Sequence, residues 1–534
     1  MTARITLRNY RCFTHTNPAV FDLGEGFTSF VGPNNSGKST LLRFFYEMRG
    51  VISHFGVLRG RNFSGFFGTG PVGLGGLPPP ITDQSEIVYE AADGPLQFQI
   101  DLVSQPDGVP IYVKTVTWTY HTVQQSWELA LFTSQGNEIR SNPPNGANFQ
   151  DVQHPDQNIL LTNGAVVSFA AMVELTDLIA KTQYLGPFRN AVNEGAGSYY
   201  DLQLGTSFVE QWHHWKTGGD KSKNRAISKV TEDIRRLINA NALEINASIE
   251  LKTLQLSIDG RPFKLSELGS GVAQLVVVLG NVLVKKPSFV AIDEPETHLH
   301  PSLQLDFLTT LASYTTHGVL YSTHSLGLAR ASSDRTYSVK PSDNGSILRP
   351  YERTANYAEF LGSMGIAGLQ DIGMNKILLV EGPTDVRTYQ QLLRKYGKDR
   401  EVVILPLGGD SMINGKTTHL LEEVLRLCPN VFAVIDSEKK SREEKLGAGR
   451  RAFQENCLAL NINLLILGRR ATENYLTDRC VKQEFGDAYT ALGDFGATSD
   501  VPKFWGKTEN WRAARKLTRE ELDQTDIGEF LSAL

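Results

Sequence analysis

The chain alternates short apolar segments with polar segments of helical character over most of its 534 residues. A strand is predicted at 27–31, where apolar residues run into a glycine-rich turn and then a helix at 39–48. Alternating polarity, with many β-branched and aromatic residues, predicts a strand-rich region at 86–135. Two strand–helix units follow, around 288–316 and 318–330. The pattern is that of an α/β protein.

A helical segment interrupts this pattern at about 207–242. Its apolar residues Ile227, Val230, Ile234 and Leu237 recur at the spacing of one helix face in a polar background. Two interpretations are open for the region around 200–245. It forms a helical insert used for dimerisation, or it packs on its own domain.

A second α/β pattern begins at Lys376. Helical stretches at 384–396 and 416–427 separate some of its strands, and this alternation is typical of a parallel sheet. The predicted strands contain ILLVEG, EVVILPL, VFAVIDSE and INLLILG. We place the boundary near 360–374, which gives domains at 1–370 and 371–534.

Charge and cysteine content limit the location and partners of the chain. A formal net charge of −5 excludes a uniformly basic protein but leaves room for a local basic patch. The four cysteines lack CxxC or zinc-ligand spacing, which is typical of reduced thiols in the cytoplasm. No apolar run approaches the ~18 residues of a membrane span, and the N-terminus lacks the apolar core of a signal peptide. We therefore expect a cytoplasmic protein without membrane contact.

A phosphate-binding loop is predicted between strand 27–31 and the next helix, where GPNNSGKS fits the pattern GxxxxGK[ST]. Glycines and a helix N-terminus let backbone N–H groups surround phosphates. Lys38 is expected to reach the β- and γ-phosphates of ATP, and Ser39 to bind Mg²⁺. The predicted ATP-binding residues of this loop are Gly32, Asn35, Gly37, Lys38, Ser39 and Thr40.

Three further motifs suit the same nucleotide. The apolar strand SFVAI ends in Asp293, expected to support Mg²⁺, and Glu294, expected to polarise the attacking water. Ser270 and Gly271 open an apolar helix and resemble the ABC signature, in which small residues let backbone approach a γ-phosphate. His324, after the strand GVLYS, resembles the switch histidine. Because a signature motif acts on nucleotide held by another subunit, we expect a homodimer or a higher homo-oligomer.

A second group of acidic residues follows the strands of the C-terminal pattern. Glu381 ends the first strand, Asp436 and Glu438 follow another, and Glu473 follows the last. Asp385 either joins them or caps the helix that begins beside it. Carboxylates at the ends of parallel strands suit Mg²⁺, with Mn²⁺ or Ca²⁺ as alternatives. Two such ions can activate water and stabilise the leaving oxygen of a phosphodiester.

These motifs together resemble a known family. The opening ITLRNYRCF and the loop GPNNSGKST resemble the ABC ATPase heads of RecF and SMC proteins. DEPETHLHP, STHS and LLVEGPTD in that order are similar to the overcoming-lysogenization-defect (OLD) family, which includes the Gabija nuclease subunit and some retron-associated effectors. The resemblance implies a RecF/SMC-like ABC head with a mixed sheet around the P-loop, followed by a Toprim domain with a parallel sheet. It implies a metal-dependent DNA endonuclease with ATPase activity in anti-phage defence, and a helicase or a reverse transcriptase as a candidate partner.

The chain differs from many Toprim domains at one position. Glu438 stands where D-x-D motifs carry their second aspartate; a glutamate still coordinates a cation, and its longer side chain is expected to shift the metal preference or the spacing. Nucleases of the OLD family also carry a late lysine that stabilises transition-state charge. Lys507 is the best match and Lys516 the second choice.

Nearby cations are candidates to guide a DNA backbone, or they are solvated surface charges. They are Lys439, Lys440, Arg442, Lys445, Arg450, Arg451, Arg469 and Arg470.

Other functions remain to be separated from a nuclease. An ATP-gated sensor or assembly subunit would bind nucleic acid without cutting it. A topoisomerase would need a tyrosine nucleophile in a separate domain, and a primase would need a zinc module that the cysteine pattern does not provide.

Overall fold

The structure is a computed structural model. It describes residues 2–56, 81–91, 94–140, 149–150, 158–161, 164–187, 197–351, 376–399, 401–408, 413, 418–428 and 430–534. The predicted boundary near 360–374 lies outside these residues and stays a prediction.

The chain divides into two units. Unit 1 is Met1–Leu299, Thr310–His324 and Arg335–Tyr351, and unit 2 is His300–Thr309, Ser325–Asp334 and Glu352–Leu534. Unit 2 thus includes two short segments from the part of the sequence that we assigned to the ATPase domain.

The strands of unit 1 are β1 (Ala3–Arg8), β2 (Ala19–Leu23), β3 (Gly26–Val31), β4 (Leu96–Leu102), β5 (Val113–His121), β6 (Ser126–Thr133), β7 (Glu138–Arg140), β8 (Phe149–Gln150), β9 (Asn158–Leu161), β10 (Val166–Ser168), β11 (Gln183–Leu185), β12 (Gly197–Tyr199), β13 (Leu202–Leu204), β14 (Leu243–Ser248), β15 (Thr253–Ile258), β16 (Arg261–Lys264), β17 (Phe289–Asp293), β18 (Gly318–Thr323), β19 (Arg335–Ser342) and β20 (Gly345–Pro350). Its helices are α1 (Lys38–Glu47), α2 (Arg49–Gly56), α3 (Ala170–Ala180), α4 (Gly205–Thr217), α5 (Lys221–Leu237) and α6 (Ser270–Lys285).

The helices of unit 2 are α7 (Pro301–Ala312), whose last residues belong to unit 1, α8 (Leu326–Ser332), α9 (Pro383–Lys395), α10 (Thr418–Leu427), α11 (Ala448–Ala459), α12 (Asp478–Phe485), α13 (Asn510–Lys516), α14 (Arg519–Leu522) and α15 (Asp526–Ala533). Its strands are β21 (Lys376–Val380), β22 (Val402–Pro406), β23 (Val431–Ile435) and β24 (Asn463–Ile466).

The predicted strand-rich region supplies three of the six strands of an antiparallel sheet in unit 1. The strand order is β2-β1-β4-β5-β6-β7, with antiparallel pairing throughout. Strand β4 alternates buried and half-buried residues along LQFQIDL, as expected for a sheet with one face on a core. Phe98 stacks on Trp118 of the neighbouring strand, with ring centroids 4.7 Å apart, within the core of this unit.

A second, mixed sheet positions the predicted ATP motifs. Its strand order is β11-β17-β18-β3-β19-β20, and all neighbours are parallel except the last pair. Strands β17 and β18 are buried along their whole length, which is typical of parallel strands covered on both faces. The three motif-bearing strands are adjacent, so their carboxyl ends lie at one edge of the sheet.

The helical region around 200–245 forms α4 and α5, and its apolar side chains are buried within unit 1. Asp220 caps α5 by accepting hydrogen bonds from the backbone N–H groups of Ser222 and Lys223. Trp212 of α4 packs so closely on Gly280 of α6 that a Cβ there would lie 3.0 Å from the indole ring. This packing matches the second of the two interpretations; a role in dimerisation stays a prediction.

Unit 2 is built on a four-stranded sheet of order β22-β21-β23-β24, and every neighbouring pair is parallel. The predicted parallel sheet is therefore confirmed. Cores lie on both faces of the sheet, because Leu378 and Leu379 alternate along β21 and belong to different apolar clusters. Among the described residues, no helix is both long enough and apolar enough to cross a bilayer.

Buried polar contacts attach α7 and α8 to helix α9 within unit 2. Arg387 on α9 is 1% exposed and pairs with Asp334, just after α8, at 2.6 Å. Asp306 on α7 accepts a hydrogen bond from Gln390 and forms an ion pair with Arg394, both on α9. Since a charge buried without a partner is strongly destabilising, these contacts fix the two segments in unit 2.

We predict that Arg387→Ala lowers the free energy of unfolding of unit 2 by about 3–5 kcal/mol, because it leaves Asp334 with a buried charge and removes packing. Urea denaturation measures the loss, and peptide-resolved hydrogen exchange should assign it to α8 and α9. Lys482→Ala is the control: the side chains of its pair with Asp478 on the same helix are 40% and 47% exposed, so the change should stay below about 1 kcal/mol. Equal effects of the two variants would contradict the buried contact.

Candidate functional site

The loop between β3 and α1 has the backbone of a phosphate cradle. Gly37 has a φ of 97° and Asn35 a φ of 59°, the left-handed region that glycine and asparagine tolerate. Gly32 lies so close to the carbonyl of Val339 that a Cβ would be 2.1 Å from its oxygen. Lys38 Nζ donates to the carbonyl of Pro33 at 2.8 Å, which folds its side chain back over the loop. This geometry agrees with the predicted phosphate site.

The hydroxyl groups of Ser39 and Thr40, the last two residues of the P-loop, make different contacts. The hydroxyl of Ser39 lies close enough to Asp293 to favour the charged carboxylate, as expected for two residues that share Mg²⁺. The hydroxyl of Thr40 instead contacts the thiol of Cys12 at 4.0 Å.

Asp293 and Glu294 follow β17 beside this loop. Burial raises the pKa of Asp293, although the hydroxyls of Ser322 and Ser39 oppose the shift. Asp293 Oδ1 accepts a hydrogen bond from Ser322, whereas Oδ2 is buried and makes no well-formed hydrogen bond in the described part of the chain. A buried carboxylate oxygen of this kind fits a Mg²⁺-bound water.

Glu294 has a φ of 47°, which is unusual for a residue with a side chain. Its backbone N–H donates to Ser322 Oγ at 3.1 Å, so a residue of the neighbouring strand β18 stabilises this strained conformation. His324 Nε2 lies 3.1 Å from Glu294 Oε1 and 3.3 Å from Lys38 Nζ. One ring nitrogen cannot donate to the first and accept from the second at once, so the histidine tautomer decides which contact is a hydrogen bond.

Lys38 lies among the acidic residues of this pocket. Burial lowers its pKa, and Glu294, Asp293 and Glu296 oppose that shift. The ammonium group of Lys38 is thus partly removed from water, and the nearby acids offset only part of that cost. An anionic phosphate bound beside it would stabilise its charge.

Glu296 belongs to this pocket and was not predicted. Its Oε1 accepts hydrogen bonds from Thr323 Oγ1 at 2.6 Å and from the backbone N–H of His324 at 3.0 Å. Burial raises its pKa. The residue is visible in the sequence as the second glutamate of DEPE. It was overlooked because the motif assigns roles only to the preceding Asp–Glu pair.

The signature-like segment begins helix α6. Ser270 is exposed, and Gly271 packs on the carbonyl of His298, where a Cβ would lie 2.6 Å from the oxygen. Gln274 Nε2 donates to the carbonyl of Pro295 at 3.4 Å. The segment is thus connected to the loop after Glu294 of the same chain, and its contact with nucleotide in a second subunit stays a prediction.

In unit 2, carboxylates lie at the carboxyl ends of three adjacent parallel strands. Glu381 follows β21 and accepts a hydrogen bond from the backbone N–H of Asp436, after β23, at 3.0 Å. Asp436 Oδ1 in turn accepts from the backbone N–H and the hydroxyl of Thr472, at 3.0 and 3.2 Å. Glu473, the next residue, forms an ion pair with Lys507 at 2.8 Å. The sheet therefore brings these residues to one place.

Burial and mutual repulsion change the ionisation of this cluster. Burial, with Glu473 nearby, raises the pKa of Asp385 to about 6, although the backbone N–H of Gly382 favours its charged form. Burial also raises the pKa of Asp436, and the charges of Asp385, Glu381 and Glu473 add to the effect. Asp385 caps α9 by accepting a hydrogen bond from the backbone N–H of Gly382, which matches one of its two predicted roles. It also interacts electrostatically with the other acids, and its role as a metal ligand stays a prediction.

Two cations compensate part of this negative charge. Arg450 donates from Nε to the carbonyl of Asp436 at 2.7 Å and from a terminal nitrogen to Glu381 at 3.1 Å. Lys507 is half-exposed; its burial disfavours the charged form, but Glu473, Asp436 and Glu438 together raise its pKa. Lys516 instead pairs with Glu484 at 3.5 Å.

The carboxylate of Glu438 pairs with Arg470 and not with Lys507 or Arg450 among the described residues. This glutamate has a φ of 55°, and its carboxylate faces Arg470 at 3.6 Å. Within the described residues, no three acidic, histidine or cysteine side chains are arranged to hold a metal ion.

The pocket around Lys38, Asp293 and Glu294 is that of a P-loop ATPase. The chain matches a family model described as "AAA domain, putative AbiEii toxin, Type IV TA system" over residues 27–330, more than half its length, and so belongs to this family of ATP-binding proteins. A further model, described as an AAA domain, matches residues 4–45. The predicted Toprim domain lies beyond these matches and stays a prediction.

Solved SMC heads are among the structures that match the chain. The SMC head domain from Thermotoga maritima is 16% identical with a TM-score of 0.31, and the match covers 65% of this chain and 98% of that one. An Smc head with an extended coiled coil, bound to the C-terminal domain of ScpA derived from Pyrococcus furiosus, is 11% identical with a TM-score of 0.33, covering 66% and 96%. No curated protein sequence matches the chain.

Two substitutions should separate nucleotide binding from hydrolysis. Lys38→Ala removes the cation expected to meet the phosphates and should abolish binding of a fluorescent ATP analogue. Glu294→Gln should retain binding and lower phosphate release by at least about 10²-fold, because it removes the group that polarises water. Equal hydrolysis by Glu294→Gln and the unmodified protein would refute the assignment of Glu294.

Asp385→Asn should increase stability at neutral pH. Because the pKa of Asp385 is raised to about 6, the folded chain binds more protons than the unfolded chain between about pH 4 and 6. The free energy of unfolding therefore falls as the pH rises through this window. In the presence of EDTA the variant should be more stable by roughly 1–2 kcal/mol at pH 7.5 and lose this advantage near pH 4.

Asp500→Asn is the matched control, because Asp500 also accepts a hydrogen bond from an N-cap backbone N–H but is exposed. Because this side chain is exposed, the substitution should leave the free energy of unfolding close to that of the unmodified protein at both pH 7.5 and pH 4. A pH-independent difference for Asp385→Asn would contradict the raised pKa of Asp385.

Proposed function

We propose that the protein is an ATP-controlled, divalent-metal-dependent DNA endonuclease of the OLD type, with a Toprim catalytic domain at 371–534. The observation that supports this most is the meeting of Glu381, Asp436 and Glu473 at one edge of a parallel sheet, with Lys507 beside them. Such an edge is where α/β sheets place their ligand sites.

The donor set suits Mg²⁺ or Mn²⁺, since the available ligands are carboxylate oxygens. The raised pKa values of Asp385 and Asp436 support this, because a divalent cation would offset both the burial and the repulsion that cause them. Glu381, Asp436 and Glu473 would hold the ions, with Asp385 adjacent. When bound, such ions activate water and stabilise the leaving oxygen of a phosphodiester. Glu473 would have to turn from Lys507 toward the metal.

Lys507 then has a distinct role. Its ammonium group lies against Glu473 and is half-exposed, so it can turn to a phosphate oxygen. A fixed positive charge beside the reacting phosphate stabilises negative charge in the transition state. Lys516 lacks this position because it pairs with Glu484.

A basic surface near the cluster fits the DNA backbone. Lys440, Arg442, Lys445 and Arg451 are exposed, and within the described residues none of them forms an ion pair. Lys439 is half-buried beside them. Free lysine and arginine side chains of this kind neutralise phosphates and release counterions. Arg450, Arg469 and Arg470 are held by acidic neighbours and contribute less.

ATP is proposed to control cutting through a homodimer or larger homo-oligomer, in which Ser270 and Gly271 of one chain meet the nucleotide of another. The family description names a toxin of a toxin–antitoxin system. A nuclease restrained by nucleotide until infection is compatible with that description and with anti-phage defence in the cytoplasm. A helicase, or a reverse transcriptase with its nucleic acid, is a candidate partner.

A plasmid-nicking assay with Mg²⁺ or Mn²⁺ tests the nuclease. The unmodified protein should convert supercoiled plasmid to nicked or linear DNA, whereas Glu381→Ala and Asp436→Ala should not, because each removes a metal ligand. Asp494→Ala is the matched control: this exposed acid pairs with Arg469 and should leave cutting intact. Circular dichroism should show the same fold for all variants.

The same assay tests the late lysine. Lys507→Ala should slow cutting by about 10²–10³-fold, and Lys516→Ala should have little effect. Cutting by the carboxylate variants at the normal rate would contradict the proposed site.

One observation favours a second function, that of an ATP-gated sensor or assembly subunit. In the part of the chain that the structure describes, no three side chains form a ready metal site, and Arg450 and Lys507 already hold two of the acids. A sensor would bind DNA in a mobility-shift assay and leave every plasmid intact with either metal.

A further inference from the structure

Glu296 connects the two strands that carry the catalytic residues of the ATPase. It lies in the loop after β17, two residues beyond Glu294, and reaches the end of β18. One oxygen, Oε1, accepts both the hydroxyl of Thr323 at 2.6 Å and the backbone N–H of His324 at 3.0 Å. These bonds act on the backbone from which the histidine ring projects.

The contacts of Glu296 complement those of Glu294. The backbone N–H of Glu294 donates to Ser322 Oγ, so the same two strand ends are connected a second time. With both connections, His324 Nε2 lies 3.1 Å from Glu294 Oε1. The pairing of β17 with β18 and the contact of Glu294 both end at Ser322, whereas Glu296 reaches the two residues beyond it, Thr323 and His324.

The position of Glu296 suits orientation better than proton transfer. Its Oε2 is buried and has no hydrogen-bond partner in the described residues, and Oε1 is occupied by Thr323 and His324. A charge-assisted hydrogen bond to a backbone N–H is strong and directional, and holds a loop well.

We propose that Glu296 is a positioning residue for ATP hydrolysis, which orients His324 toward Glu294 and the γ-phosphate. The inference concerns the ATPase reaction and does not depend on the nuclease. Glu296 acts through His324, so removing it should impair the chemical step and spare ATP binding. Misplacement of a catalytic group by about 1 Å is enough to slow a reaction about 10²-fold.

Steady-state phosphate release by the full-length protein, with binding of a fluorescent ATP analogue, tests this role. Glu296→Ala should lower kcat about 10²-fold and leave ATP affinity within about threefold. Glu296→Gln should keep most of the activity, because the amide oxygen can accept both hydrogen bonds. Glu210→Ala, an exposed acid on α4, is the control and should behave like the unmodified protein.

A double-mutant cycle tests whether the effect passes through the histidine. In a His324→Ala background, Glu296→Ala should cause no further loss of kcat, because the group it orients is absent. A further tenfold loss would show an independent role and overturn the proposal. Inactivity of Glu296→Gln would also overturn it, since it would assign proton transfer to the carboxylate.

Thr323→Val provides a second test of the proposal in case the Glu296→Ala variant does not fold. It removes one of the two hydrogen bonds and keeps the glutamate, so kcat should fall to an intermediate level with ATP affinity unchanged. Normal kcat in Thr323→Val, together with loss of fold in Glu296→Ala, would mean that Glu296 only stabilises the loop, and the proposal would be wrong.

Discussion

Neighbouring parallel strands end at the same edge of their sheet, and both candidate sites depend on this constraint. In unit 1 it brings the P-loop after β3 beside the residues that follow β17 and β18. In unit 2 it brings the residues after β21, β23 and β24 together. Side chains far apart in the sequence thereby come within hydrogen-bonding distance, and the strands themselves need only be apolar enough to stay buried.

The same constraint concentrates negative charge, and each site compensates it differently. In the ATP pocket, Lys38 lies among three acids and is the residue expected to meet phosphate. In unit 2 the compensation is divided between Arg450, which also donates to the carbonyl of Asp436, and Lys507, which pairs with Glu473. Burial still raises the pKa of Asp385 and Asp436. An additional positive charge in the cluster would therefore stabilise their charged forms. Sites that bind ions or substrates commonly carry such a local destabilisation.

Sequence motifs predicted the candidate site residues whose type is required by phosphate or metal binding. Lys38, Asp293 and Glu381 stand at strand ends or in a glycine loop, where a short motif reveals both residue type and position. Glu296 and Arg450 were not assigned these contacts, because their partners are backbone groups and side chains brought near only by strand order. The alternation of mostly apolar strands with helical segments also predicted the parallel sheet of unit 2. It carried no information on which distant helices cover α9, because long-range burial of Arg387 leaves no local pattern.

The attachment of α7 and α8 to α9 determines how the chain can be dissected. Unit 2 is discontinuous in sequence, so a fragment starting anywhere in 352–375 lacks Asp306 and Asp334. In that fragment Arg387 would lose its ion pair with Asp334, on the helix that also carries Asp385. Poor yield or inactivity of such a fragment would therefore reflect missing counter-charges at its surface, and a faithful minimal version has to retain 300–334 or supply replacements for those two acids.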